Sequence, residues 1–95
     1  MFVYFYMKRR TNYEIILDIL KVVQENRKVN KTRIMQGTYL DGRSFQKYFH
    51  YLLDKGLITK CNTEFEFYEL TEDGRGALGK FMEVDKLMYH SSEQK

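Results

Sequence analysis

A chain of 95 residues with 43% hydrophobic and 16% aromatic content is long enough for one small packed domain and too apolar to remain disordered. Its single cysteine, Cys61, excludes an internal disulfide. Its longest apolar run, residues 1–7, is far too short to span a bilayer and lacks the features of a secretory signal, so a cytoplasmic protein is expected. The net charge of +3 is unevenly placed, since residues 8–60 carry 12 Lys/Arg against 5 Asp/Glu, or +7, whereas residues 61–95 carry 4 against 8, or −4; a polyanionic partner for the first part follows as an expectation.

The elements read in chain order as follows. Residues 1–10 form an aromatic and basic arm, strand-like over Met1–Met7 and closed by Lys8-Arg9-Arg10; Met7 is itself a possible start. Thr11 or Asn12 caps a first helix that runs to about Asn26. At 100° per residue, Tyr13, Ile16, Leu17, Leu20 and Val23 form one broad face, and Ile15, Ile19 and Val22 form a second apolar stripe. A helix this apolar must be buried on more than one side, so a second cover is expected from a partner subunit, the C-terminal helix or the arm.

Residues 30–37 predict a short second helix, Tyr39-Leu40-Asp41-Gly42 a turn, and Arg43 to Lys55 a third helix with Asp41 as its N-cap. Lys55-Gly56 ends that helix, because glycine tolerates the left-handed conformation of a helix stop. Leu57–Lys60 and Glu66–Leu70 have strand composition on either side of Asn62-Thr63. Thr71 then caps a last helix from about Glu72 to Tyr89, with Glu72 and Asp73 in its first turn. Helix, turn, helix, hairpin, helix is the order of a winged helix-turn-helix. The fold class is therefore α+β: residues 11–71 as the winged domain, 72–90 as a long C-terminal helix, and 91–95 as a tail. The commonest work of that fold is binding duplex DNA.

The third helix sorts cleanly on the wheel. Phe45, Tyr48, Phe49, Leu52 and Leu53 face the core, and Arg43, Lys47, His50 and Asp54 centre on the opposite side. The N-terminal half of such a helix meets base edges in the major groove, which nominates Arg43, Ser44, Gln46, Lys47 and His50; Arg and Lys suit guanine acceptors and Gln suits adenine. Lys31, Thr32 and Arg33 open the second helix and are placed to hold phosphates. Lys60 extends the set to the wing, but Glu64 and Glu66 make that wing poor in positive charge. Lys8, Arg9 and Arg10 serve either as a phosphate or minor-groove arm or as a solubilising cluster.

In the last helix Ala77, Phe81, Val84 and Met88 repeat with 4-3-4 spacing, the seam of a coiled coil, and predict a dimerisation helix. The alternative is an amphipathic helix packed on its own domain. Catalysis finds little support: two histidines 40 residues apart with one cysteine give no zinc spacing, and no glycine-rich phosphate loop precedes a helix. No metal, cofactor, membrane or small-molecule substrate is expected.

Thr32-Arg33-Ile34-Met35, Tyr39-Leu40, Gln46-Lys47-Tyr48-Phe49, Leu52-Leu53-Asp54-Lys55-Gly56-Leu57-Ile58 and Tyr68-Glu69-Leu70-Thr71-Glu72-Asp73-Gly74 together resemble the small archaeal winged-helix DNA-binding proteins, over roughly residues 8 to 90. The resemblance implies a homodimer paired through an antiparallel C-terminal helix. It implies duplex DNA as partner, in a nucleoid-associated architectural or a transcriptional role. The chain departs from the pattern at Asp41-Gly42-Arg43-Ser44, in its extra N-terminal arm, and in the Gly76 and Gly79 of its seam. The reading is a homodimeric, non-enzymatic duplex-DNA-binding protein, with a winged-helix protein–protein interaction module as the rival.

Overall fold

Thr11 opens the first helix with a capping box: its hydroxyl accepts from the Glu14 N–H at 3.1 Å while the Glu14 carboxylate accepts from the Thr11 N–H at 2.9 Å. That helix, α1, spans Asn12–Asn26 in a computed structural model that describes residues 10–61 and 64–90. A two-residue strand β1 (Val29–Asn30) leads into α2 (Lys31–Thr38), and a turn at Tyr39 leads into α3 (Gly42–Asp54). Strands β2 (Ile58–Lys60) and β3 (Phe67–Leu70) form the wing, followed by α4 (Glu72–Asp85) and a π-helical segment Lys86–His90. The three strands make an antiparallel sheet in the order β1-β3-β2. Val29 lies opposite Tyr68 and Ile58 opposite Leu70.

The stop after α3 is a Schellman motif. Gly56 takes φ 74°, its N–H donates to the Leu53 carbonyl at 3.1 Å, and the Leu57 N–H reaches back to Leu52 at 3.0 Å. The same turn anchors α4. Thr71 donates its N–H to the Leu57 carbonyl and its hydroxyl to the Gly56 carbonyl, and that hydroxyl accepts from the Gly74 N–H at 2.9 Å. A methyl group at position 74 would sit 2.0 Å from the Leu57 oxygen, so only glycine permits this approach. The end of α3 and the start of α4 are thus tied together through backbone groups.

Helix α1 lies at the centre, packed on α2, α3, α4 and β3. Ile15, Leu17, Ile19, Leu20 and Val23 are buried from it, and they meet Ile34 of α2, Phe45, Phe49 and Leu52 of α3, and Leu78 of α4. Phe49 is stacked on Phe45 at 5.1 Å and meets Tyr68 of β3 edge-on at 4.9 Å. The buried Thr38 hydroxyl donates to the Met35 carbonyl at 2.9 Å, so its burial leaves no unmet polar group.

One expectation is corrected here, and two further features of the fold stand beside it. The second stripe of α1 does not need a partner subunit: Ile15 and Ile19 are core, and the Val22 methyls lie 3.0 and 3.1 Å from where a Cβ at Gly37 would stand. The missing side chain at Gly37 lets α2 close over that stripe. The sheet has a third strand, because Val29–Asn30 pairs with β3. The last helix also does not leave the domain at its start: Leu78 is buried, and Phe81 is half-buried with its ring edge-on to Tyr13 at 5.0 Å. Beyond Phe81, Val84, Leu87 and Met88 are exposed.

Candidate nucleic-acid interface

The outer face of α3 follows from its inner one. With Phe45, Phe49 and Leu52 buried, a 3.6-residue period turns Arg43, Gln46, Lys47, His50 and Asp54 to solvent, and all five are exposed. Asp41 caps the helix by accepting from the Ser44 N–H at 2.7 Å. That hydrogen bond, with a weaker contribution from the neighbouring Arg43 charge, holds the Asp41 carboxyl below its ordinary value of 3.8. Ser44 is half-buried beside its cap, which places it lower on this face than Arg43 or Lys47. Tyr48, on the flank of α3, donates its phenolic O–H to the Asn12 side-chain oxygen and so pins α3 to the start of α1.

The start of α2 is also exposed. Asn30 caps it, accepting from the Arg33 N–H at 2.8 Å, and leaves Thr32 and Arg33 exposed. Lys31 is half-buried, its Nζ 5.3 Å from the centre of the Phe49 ring, and Lys47 sits 5.4 Å from the Tyr48 ring. Both ammonium groups ride on aromatic faces that fix their stems. Between the two helices Tyr39 adopts φ 60°, ψ 28° and is 76% exposed. Left-handed backbone at a helix end is usually glycine or asparagine. A bulky, exposed aromatic there is a candidate contact that composition alone does not single out.

The wing differs. Lys60 lies 3.9 Å from the Glu66 carboxylate, both side chains substantially exposed, so its charge is partly matched within the hairpin. Phe65 is stacked on Phe67 at 5.8 Å beside Glu64 and Glu66. Asn62 and Thr63, at the wing tip, lie outside the described residues, as do Lys8, Arg9 and the tail 91–95. Arg10 is described, and its guanidinium is held 2.7 Å from Asp18 on α1 rather than presented with the helix-turn-helix. The site residues therefore fall into two groups. Arg43, Gln46, Lys47 and His50 share the exposed face of α3, Thr32 and Arg33 are exposed at the start of α2, and Lys31 and Ser44 are partly buried, whereas Lys60 and Arg10 are engaged elsewhere.

Cys61 follows β2, and its thiol donates to the Phe67 carbonyl at 3.5 Å. Among the described residues no three His, Cys, Asp or Glu side chains are grouped to hold a metal ion, and no helix is long and apolar enough to cross a membrane.

Residues 9–89 match the winged helix-turn-helix family model. The uncharacterised protein MJ0287 of Methanocaldococcus jannaschii is 36% identical over 76 residues, which cover 80% of this chain and 77% of that protein. A second protein of the same organism, MJ0290, is 40% identical over 81 residues; these span 85% of this chain but only 36% of MJ0290. Among solved structures, Sso10a-2, a DNA-binding protein from Sulfolobus solfataricus, superposes with a TM-score of 0.65 and 28% identity, covering 90% of this chain and 92% of that one. The multiple antibiotic-resistance repressor MarR from Listeria monocytogenes superposes with a TM-score of 0.67 at 16% identity, covering 84% of this chain and 55% of that one; it shares the fold alone.

Proposed function

Because the chain belongs to the winged helix-turn-helix family, we propose that it is a duplex-DNA-binding protein that acts as a homodimer and carries out no reaction. One observation carries the reading: Arg43, Gln46, Lys47 and His50 stand together on the exposed face of α3, and Thr32 and Arg33 are exposed at the start of α2. In the proposed complex α3 enters the major groove, Arg43 and Lys47 reach guanine acceptors, Gln46 reaches adenine, and Lys31, Thr32 and Arg33 hold phosphates. The likeness to Sso10a-2, a DNA-binding protein, supports duplex DNA as the partner, and an architectural, nucleoid-associated role in the cytoplasm is part of the proposal, as the family resemblance implies. The exposed Val84 and Met88 on the C-terminal helix, with Ala77 and Phe81 continuing the line inward, supply the proposed dimer seam.

The test is a titration against random-sequence duplex at several salt concentrations. If each subunit neutralises about three phosphates, a dimer should show a log–log slope of about −5. A slope near zero, or no binding at low salt, would overturn the reading in favour of a protein–protein module.

A further inference from the structure

A second basic site lies away from the helix-turn-helix. The end of α1, the end of β3 and the first turn of α4 enclose a cleft of about 690 Å³, within the size range of small-molecule sites. Its charged lining is Arg27, Lys28 and Arg75 against a single carboxylate, Glu69, and no residue of α2 or α3 contributes to it. The sheet register fixes where it lies. Strand β3 runs from the wing at Phe67 to α4 at Leu70, and Val29 pairs with Tyr68. Lys28 and Arg27 therefore flank the Glu69–Leu70 end, about 10 Å along the strand from the wing side.

Two of the three cations in this cleft are not otherwise engaged: among the described residues the Arg27 and Lys28 side chains have no hydrogen-bond or ion-pair partner. Arg75 donates one N–H to the Leu70 carbonyl at 3.3 Å, which sets the guanidinium against the cleft wall with its other N–H groups unmatched. Three cations around one concavity, one of them oriented by backbone, are the donor set that binds an oxyanion with several acceptor oxygens.

We propose that this cleft is a phosphate-binding site, separate from the face assigned to the DNA grooves. The phosphate belongs either to a small phosphorylated molecule or to the backbone of a duplex held on the far side of the domain. The single Glu69 at the rim is suited to accept from a hydroxyl or amine of the same ligand.

The probe is inorganic pyrophosphate, followed by thermal unfolding at constant ionic strength. Wild type should show a saturable rise in Tm of several degrees, and Arg27→Gln with Lys28→Gln should abolish it. Both side chains are exposed, so the unliganded Tm of that variant should be unchanged; Arg75→Gln is the second, independent variant and should also abolish the effect. Arg43→Ala with Lys47→Ala should keep the full shift, which separates this site from the proposed groove face whether or not that face binds DNA. A 12-base-pair duplex added to Arg43→Ala/Lys47→Ala then distinguishes the sources. Displacement of pyrophosphate identifies backbone phosphate, and retention identifies a small ligand. Absence of a saturable shift, or a shift that survives Arg27→Gln/Lys28→Gln and Arg75→Gln, overturns the proposal.

Discussion

Three single residues hold the local structure at helix ends, and two of them give sharp tests. Gly74 lies where any side chain would collide with the Leu57 carbonyl, at 2.0 Å, whereas nothing lies within 4 Å of a Cβ at Gly76, two residues on. Gly74→Ala should therefore destabilise the fold by at least about 1–3 kcal/mol, since the obstacle is backbone and cannot swing aside. Gly76→Ala should stabilise it by about 0.5–1 kcal/mol, because a helix interior loses less entropy with alanine. Urea denaturation of the two variants decides this, and similar effects from both would refute the tight α3–α4 junction. Asp41 gives a pH test. Its carboxyl is held below 3.8 mainly by the hydrogen bond to the Ser44 N–H, so the cap stabilises fully above that value and is lost as pH falls through the lowered one. Asp41→Asn keeps an acceptor but cannot titrate, so its stability should fall less steeply than that of wild type as pH drops below the ordinary carboxyl value of 3.8. Parallel acid limbs would refute the assignment. Tyr39 is the third, in left-handed backbone, and no spacing in the sequence marks it.

At the scale of elements, the two faces of α3 translate into a comparison. Arg43 and Lys47 are exposed on one surface, while the wing sets Glu64 and Glu66 beside Lys60. Arg43→Ala with Lys47→Ala should weaken duplex binding by about 1–3 kcal/mol if either side chain reads a base. Glu64→Gln with Glu66→Gln should leave affinity equal or tighter. Electrophoretic or fluorescence titration checks both, and the reverse ranking would place the wing, not α3, at the groove. The sequence made α3 legible because its period, its Asp41 cap and its Gly56 stop all agree. Strand β1 was not legible. Two residues, Val29 and Asn30, have no composition signal of their own and become a strand only through pairing with Phe67 and Tyr68. The stripe of Ile15, Ile19 and Val22 was correctly read as buried, but periodicity reports burial without naming the cover. The cover is intramolecular, admitted by Gly37. The exposed face of α3 was legible from the wheel. The withdrawal of Arg10 to Asp18 was not, because nothing in the sequence links positions eight residues apart along a helix start. The cleft of Arg27, Lys28 and Arg75 was not legible either, since the fold brings its parts together from three elements.

For the whole molecule the question is assembly. Helix α4 divides at Phe81: Leu78 and Phe81 pack on the chain's own core and on Tyr13, whereas Val84, Leu87 and Met88 are 44%, 71% and 65% exposed. An apolar patch of this kind at the end of a helix, continued by Tyr13 along a groove with Leu17, is what a second copy would cover in the proposed two-fold dimer. Such a dimer would place two α3 helices at a fixed separation, near 34 Å or a multiple if both enter one face of a duplex. The division of α4 also selects the residues to change. A charge at Phe81 would disturb the monomer's own packing, so loss of the dimer and loss of the fold would be confounded. Val84→Asp with Met88→Asp spares the buried Leu78 and the Phe81–Tyr13 contact. That variant should keep the wild-type far-ultraviolet circular dichroism and sediment as a monomer. It should also lose most of its duplex affinity, because one subunit releases only about half the counterions of two. Wild type that sediments as a monomer at tens of micromolar refutes the dimer, and a double variant that remains dimeric moves the interface away from the end of α4.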